Sequence, residues 1–522
     1  MSEQATAAND VHFTGGIGEW LRYHREQHPQ NEALIFGDTR LDYGTLNSRV
    51  NRVAQALAAR GVDKGDRVSL LMLNSNAFLE TFFACAKLGA IAVPLNFRLS
   101  PGEISFILAD AGARVIVYHP RFTPLFESIR GETALEHGIA VCGPDEAPLD
   151  GDADYERTIA EQPDAEPQAL VRQDDPLMMM YTSGTTGKPK GAVLTHANPT
   201  WITLNTQLSE LAIRSDENIL TVAPLFHIGG LAIHTLPALH LGGKTILHAM
   251  FDPEETLRTI ERERVGALFL LPAMWQALTQ VPNFDDYDLS SLRYLVSGGS
   301  PCPIPVIEFF QGRGLPFIEG FGMTETTASA CVLGNADAVR KNGSVGKPLT
   351  HVQMRIVDED DNDVAPGETG ELVLRGPSIF KEYWNRPEAT ADDCRNGWFH
   401  SGDLARQDEE GFYYIVDRKK DMLISGGENV YPTEVEQVLY KHPKVQEVAV
   451  IGVPDERWGE VPMALVVPPQ GETVTLEEIE DYCRDKLARF KTPKHLAVLE
   501  ELPRTATGKV LKRELRQEYA PQ

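Results

Sequence analysis

Residues 181–191 read Tyr-Thr-Ser-Gly-Thr-Thr-Gly-Lys-Pro-Lys-Gly, directly after the apolar run Leu177–Met180. An apolar run that feeds a loop rich in glycine and hydroxyl groups is a buried strand leading into a ligand loop. Glycine lets the backbone approach a ligand closely. Exposed N–H groups, hydroxyls and lysines together suit a polyphosphate. Alone, such a run is as readily a polar surface hairpin; the strand before it and the motifs below favour the phosphate reading. It is not the loop of kinases and GTPases, which needs four residues between its glycines and then Lys and Ser or Thr. Here Thr185 and Thr186 alone separate Gly184 from Gly187, and Pro189 follows Lys188. Proline disfavours helical backbone at the residue before it, so no helix starts at Lys188.

Outward from this loop, the chain has 522 residues, too many for one ordinary core. The net charge of −26 argues against general binding to nucleic acid, and no apolar stretch is long enough for a membrane-spanning helix. Residues from Asp417 onward are nearly neutral, so the larger part before them carries most of the negative charge. On such a body, Lys188, Lys190, Arg418 and Lys509 stand out as places for an anionic substrate. Six cysteines without a CxxC pair predict a reducing, cytoplasmic setting with neither disulfides nor a zinc site. Met1–His12 is polar and lacks the pattern of a secretory leader.

The first two-thirds alternate helix and strand patterns. Tyr43–Arg60, Phe78–Leu88 and Pro101–Asp110 read as helices, and Asp66–Leu73, Ile91–Pro94 and Arg114–Tyr118 as strands. Gly143–Pro176 reads as a surface excursion. From about Val345, short strands between Gly, Pro and Asp turns read as a β-rich module, and mixed elements return after Asp417-Arg418-Lys419-Lys420-Asp421. The prediction is an α/β fold: a large N-terminal domain, residues 1–416, of mostly parallel sheets covered by helices with a β-rich subdomain, and a small α+β domain, residues 417–522.

Three further segments share the character of the loop: Ser297-Gly298-Gly299-Ser300, Glu319-Gly320-Phe321-Gly322-Met323-Thr324-Glu325, and Gly397-Trp398-Phe399-His400-Ser401-Gly402-Asp403. Each alone is a glycine turn between strands. Together they supply a stacking ring, a metal-capable carboxylate and an acceptor for a ribose, the parts of an ATP site.

The loop at 181–191, PLFHIGG at 224–230, GFGMTE at 320–325, WFHSGD at 398–403, DRKKDMLISGGENVYP at 417–432 and PRTATGKVLK at 503–512 are six motifs in the order found in the adenylate-forming superfamily, and the chain resembles its acyl-CoA synthetases from about Trp20 to Arg516. The resemblance implies ATP, Mg²⁺ and coenzyme A as reactants, with an acyl-adenylate between two half-reactions. It implies that Thr182, Ser183, Gly184, Thr185, Thr186, Gly187 and Lys190 grip the β- and γ-phosphates. Gly298, Gly299, Ser300, Glu319, Gly320, Phe321, Gly322 and Met323 would form the adenine wall, Phe321 standing where the family usually has Tyr. Thr324 would meet the α-phosphate, Glu325 the metal, and Asp403 and Arg418 the ribose. Lys509 would swing in from a mobile small domain about a hinge at Asp417. Ser425, Gly426 and Gly427 would line the coenzyme A channel. Phe226, His227, Gly229, Gly230, Ser297, Gly320 and Gly322 would line the acyl pocket, with His227 at the acyl–thiol junction.

Small residues at Gly229 and Gly230 suggest a tunnel for an alkyl chain. The sequence therefore leans to a medium- or long-chain fatty acid, with a hydroxycinnamate-type aryl acid as the alternative. Two other readings stay open: a freestanding enzyme that loads a carrier protein, and a nucleotide-binding protein without turnover. The retention of Glu325, Asp403 and Lys509 argues against the last. Partners are expected to be small molecules, with no nucleic acid, and a homodimer stays open.

Overall fold

The computed structural model describes residues 15–182, 188–504 and 510–520. Ser183, Gly184, Thr185, Thr186, Gly187 and Lys509 lie outside the described residues. The chain forms two compact units: Met1–Gln353 with Arg375–Gly397, and Met354–Leu374 with Trp398–Gln522. The second unit thus takes in the β-rich segments before Asp417 as well as the C-terminal residues. The change of composition at Asp417 falls inside it.

The first unit is built on two sheets. In one, strands Ile91–Pro94, Arg67–Leu71, Val115–Tyr118, His137–Ala140 and Ala153–Asp154 run parallel. Ile91–Pro94, Arg67–Leu71 and Val115–Tyr118 carry near-continuous apolar side chains, as strands covered on both faces must. Pro176–Thr182 joins the sheet in parallel and pairs antiparallel with Lys190–Thr195, Thr182 facing Lys190. Lys188 and Pro189 are not helical and strand resumes at Lys190, as Pro189 predicts.

The other sheet holds Glu32–Phe36, Lys244–Leu247, Asn218–Thr221, Ala267–Leu270, Tyr294–Gly298 and Phe317–Phe321 in parallel, with antiparallel strands at both edges. Its core centres on Trp275, Phe310 and Phe317. Trp275 is fully enclosed because its Nε1–H donates to Val296 O at 3.2 Å.

Local signals explain the helix ends. Asn76–Leu88 begins two residues before its predicted start because the Ser75 hydroxyl accepts the Phe78 N–H. Pro101–Ala111 opens on a capping box between Ser100 and Glu103 and stops at Gly112 with φ of 64°.

The stretch 143–176 is more than a surface excursion. Tyr155–Ala160 is a helix, and the buried Tyr155 hydroxyl donates to Glu80 Oε2 at 2.7 Å. Glu166 accepts from the ammonium of Lys87 at 2.6 Å, and Lys87 also donates to Asn47 and Asn51. A buried ammonium without a counter-charge would be costly, so this acidic segment is drawn back against the body.

In the second unit Gly370–Arg375, Trp398–Gln407 and Tyr413–Arg418 pair antiparallel. The C-terminal sheet joins Glu428–Val430, Leu423–Ser425, Gly459–Val467, Glu447–Asp455 and His495–Val498, packed by helices Pro432–Leu439, Leu476–Cys483 and Lys512–Tyr519. Asp358–Asp363 is a hairpin tip, as its polarity predicts: Asp358 N–H donates to Asn362 O, and Val357 bridges Asp363.

Candidate active site

In the first unit the chemistry gathers where parallel strands end, the usual ligand crevice of open α/β sheets. Ser297 and Gly298 stand in register with Glu319 and Gly320. The strands therefore deliver the turns 298–302 and 320–325 side by side. Gly299, Ser300, Gly320, Phe321, Gly322 and Met323 all lie in these turns or at their roots.

Glu319 does not present its carboxylate to the crevice as a surface acid would. It is buried, and Oε1 accepts the Cys302 N–H at 2.8 Å, which ties the strand to the turn after Ser300. Burial raises its carboxyl to about 7, against the opposing effect of that hydrogen bond. Its role in the structure is to hold the turn.

After Met323 the chain makes a 3₁₀ turn, Thr324–Thr326, and leaves it through Thr327 and Ala328 at φ of 55° and 76°. Such backbone is uncommon for residues with a Cβ and is held by its surroundings. Here the Thr327 hydroxyl donates to Ser378 O at 2.7 Å. The turn aims Glu325 at the end of the strand Pro176–Thr182. Glu325 Oε1 accepts from the Tyr383 hydroxyl at 3.0 Å and from Thr182 Oγ1 at 3.5 Å. Burial, and after it the Glu325 carboxylate, push the Tyr383 hydroxyl well above its ordinary range, so it stays a donor. Lys190 Nζ lies 4.6 Å from the Tyr383 ring centre and 3.5 Å from Asp393 Oδ2. Thr182, Lys190, Glu325 and Tyr383 are therefore one cluster. A carboxylate held by hydroxyl donors beside a lysine fits a hard cation that arrives with a triphosphate.

Sequence reasoning missed Tyr383. It reaches the cluster through the short strand Glu382–Tyr383, which pairs with Ala192 and Val193. Nothing in its local spacing marks it, because the pairing is tertiary.

Phe226 is buried and meets Phe97 edge-on, centroids 5.1 Å apart. His227 is exposed, and its Nδ1 accepts the Gly229 N–H at 3.2 Å, capping the turn Ile228–Gly230. The step Gly229–Gly230 is tightly backed. A Cβ on Gly230 would stand 2.3 Å from Pro224 O, and one on Gly229 would stand 3.1 Å from the Phe269 ring. The small residues serve close packing against backbone and an aromatic ring.

In the second unit, Asp403 and Arg418 are register partners, and Arg418 Nε lies 2.7 Å from Asp403 Oδ1. Asp417 is buried; Oδ1 accepts the Arg418 N–H at 2.7 Å and Oδ2 the Thr433 N–H at 2.8 Å, at the start of helix Pro432–Leu439. Ser425 ends a strand, and Gly426 follows at φ of 61° with its N–H donating to Trp458 O. The Trp458 ring lies where a Cβ on Gly426 would be, 2.6 Å away. It is 46% exposed, with the Arg457 guanidinium 4.6 Å from its centroid. An exposed indole across a glycine loop is a ready surface for a thin ligand, and sequence reasoning missed it. The signal was a Trp in a polar turn.

Residues 21–384 match the AMP-binding enzyme family, and residues 434–509 match the AMP-binding enzyme C-terminal domain. A feruloyl-CoA synthase of Amycolatopsis sp is 45% identical over 97% of this chain and 99% of its own length. The long-chain-fatty-acid–CoA ligase FadD13 of Mycobacterium tuberculosis is 40% identical over 97% of this chain and 98% of its own. The o-succinylbenzoate coenzyme A synthetase of Bacillus subtilis, solved with ATP and a magnesium ion, superposes with a TM-score of 0.84 at 34% identity, covering 95% of this chain and 99% of that one.

The chain belongs to the AMP-binding enzyme family of adenylate-forming proteins, among its acyl-CoA synthetases. Its reaction class is that of an acid–thiol ligase that uses ATP and passes through an acyl-adenylate. Among the described residues no helix is long and apolar enough to cross a membrane.

Proposed function

We propose that this ligase activates an aryl acid of the hydroxycinnamate type and transfers it to coenzyme A. The observation that carries this reading is the closed step at Gly229–Gly230, backed by Pro224 and the Phe269 ring. It offers a flat aromatic wall in place of a long tunnel. The feruloyl-CoA synthase relative supports the same choice.

In the first half-reaction a carboxylate oxygen attacks the α-phosphorus, forming the new C–O–P link while pyrophosphate leaves. A carboxylate needs no general base. The protein's task is to position two anions and to offset the charge gathered between them. Thr182 and Lys190, with Ser183, Gly184, Thr185, Thr186 and Gly187, hold the outer phosphates. Thr324 and Lys509 meet the α-phosphate, and Asp403 and Arg418 take the ribose. Glu325 would hold the magnesium ion that accompanies ATP, whose charge offsets that of the phosphates. In the second half-reaction the thiol of coenzyme A attacks the acyl carbon beside His227 and AMP leaves. Ser425, Gly426 and Gly427 border the pantetheine, with Trp458 as its apolar wall. The small domain, residues 417–522, turns about Asp417 between the two steps. Six free thiols suit a reducing cytoplasm.

A medium- or long-chain fatty acid is the second reading, favoured by the likeness to the long-chain ligase. Coenzyme A-dependent release of AMP, measured over a panel of acids, tests both. We expect kcat/KM for 4-hydroxycinnamate to exceed that for octanoate and palmitate by about tenfold or more. The reverse order would establish the fatty-acid reading. AMP release that needs a carrier protein instead of coenzyme A would contradict both.

A further inference from the structure

Against Gly229 and Gly230 lies a small cavity, also lined by Thr221, Phe269 and His234. It has room for about one oxygen-sized group. Three of its features are unusual together. First, His234 sits in a π-helical turn, Leu231–Thr235, where Leu236 N–H reaches back five residues to Leu231 O. Such turns are rare and recur at functional sites. Second, the tautomer of His234 is fixed. Tyr294 donates its hydroxyl proton to Leu211 O at 2.7 Å, so toward His234 Nε2, 3.4 Å away, it can only accept. Nε2 therefore carries the proton and Nδ1 a lone pair. Third, His234 is 3% exposed and its Nδ1 has no partner. The other side-chain polar group in the cavity is satisfied: Thr221 donates to Thr235, whose hydroxyl donates to Gly230 O, each at 2.7 Å.

A buried acceptor left unpaired costs free energy, and this one belongs to a residue that shares the cavity with Gly229 and Gly230, which the family resemblance assigns to the acyl pocket. The ring of Phe269 would contact a Cβ at Gly229 at 3.1 Å and one at Gly298 at 3.2 Å, so it stands between the turn at Gly229 and the end of the strand that carries Ser297. We propose that His234 Nδ1 is the acceptor for a hydroxyl at the far end of the acid, making this cavity a subsite for a phenolic O–H. The inference rests on the aryl-acid reading above. Burial, and secondarily the charge of Arg293, lower the His234 imidazolium to about 3. The ring is thus neutral, and its Nδ1 an acceptor, throughout the working pH range. A donor at the substrate's far end is recognised, and an ether or a hydrogen there leaves the nitrogen unpaired.

The test compares kcat/KM for 4-hydroxycinnamate and unsubstituted cinnamate in the full-length enzyme and in His234→Leu and His234→Gln. We expect the parent enzyme to prefer the hydroxy acid by about tenfold or more. His234→Leu should abolish that preference while turning over cinnamate as the parent does. His234→Gln, which keeps an acceptor oxygen, should restore part of it. An unchanged ratio in His234→Leu would overturn the subsite and leave the aryl-acid reading standing. Failure of the parent enzyme to use either cinnamate, with turnover of fatty acids, would overturn both. Should His234→Leu fail to fold, the ¹⁵N resonance of His234 Nδ1 in the parent enzyme decides. It should move on adding 4-hydroxycinnamate and stay put on adding cinnamate, and the same response to both acids would overturn the proposal.

Discussion

Lys509→Ala is expected to lose acyl-adenylate formation by roughly a thousandfold, because it removes a charge that acts mainly in the transition state. The residue stands in Thr507-Gly508-Lys509, within the last of six ordered motifs. The first half-reaction brings a carboxylate against a triphosphate on a chain of net charge −26, so each placed cation matters. The second half-reaction is a thiol displacement at carbon and does not gather charge at phosphorus. Pyrophosphate exchange into ATP should therefore collapse in this variant, while attack of coenzyme A on supplied acyl-adenylate proceeds at a rate close to normal. Near-normal exchange would remove Lys509 from the assigned role. Equal loss of both steps would point to damage of the whole small domain.

Asp417→Pro is expected to separate the same two steps in the opposite sense. Adenylate formation should persist and its decay on adding coenzyme A should slow by roughly a hundredfold, the scale of a misplaced reacting group. Asp417 pairs with Leu404 in the strand and holds Thr433 N–H with its carboxylate. It thus sits at the joint between the β-rich segments and the first helix of the C-terminal residues. Proline fixes φ near −65° and removes the amide donor, so a backbone rotation there would be blocked. The carboxylate is lost as well, and Asp417→Ala serves as the control because it removes the same side-chain bonds without fixing φ. Single-turnover kinetics reads the outcome. If Ala and Pro slow both steps alike, the buried hydrogen bonds matter and the rotation does not. If Pro leaves both steps intact, the hinge is elsewhere.

The elements were legible where the signal is local. Ile91–Pro94 has the bounds its pattern predicts. The amphipathic helix at Tyr43 begins where Asp42 accepts the Thr45 N–H. What was not legible depends on partners distant in sequence. The acidic stretch before Pro176 reads as solvent-exposed until the buried Lys87 is seen paired with Glu166. Tyr383 joins Glu325 only through a two-residue strand. The glycines at 229 and 230 show the sharpest limit. A glycine in sequence signals either open space or a close approach, and only the position of Pro224 O decides that it is the second. His234 is masked for a related reason: a histidine among apolar residues reads as core, and the unpaired nitrogen becomes visible only with Tyr294 in place.

The measurement that bears most directly on the account follows oxygen. The acid is labelled with ¹⁸O in both carboxylate positions and turned over with ATP and coenzyme A. If the carboxylate attacks the α-phosphorus and the thiol then displaces AMP at carbon, each AMP formed must carry one labelled oxygen on its phosphate, and the pyrophosphate none. Unlabelled AMP, or label in the pyrophosphate, would contradict the acyl-adenylate route and with it the roles assigned to Thr324, Glu325 and Lys509.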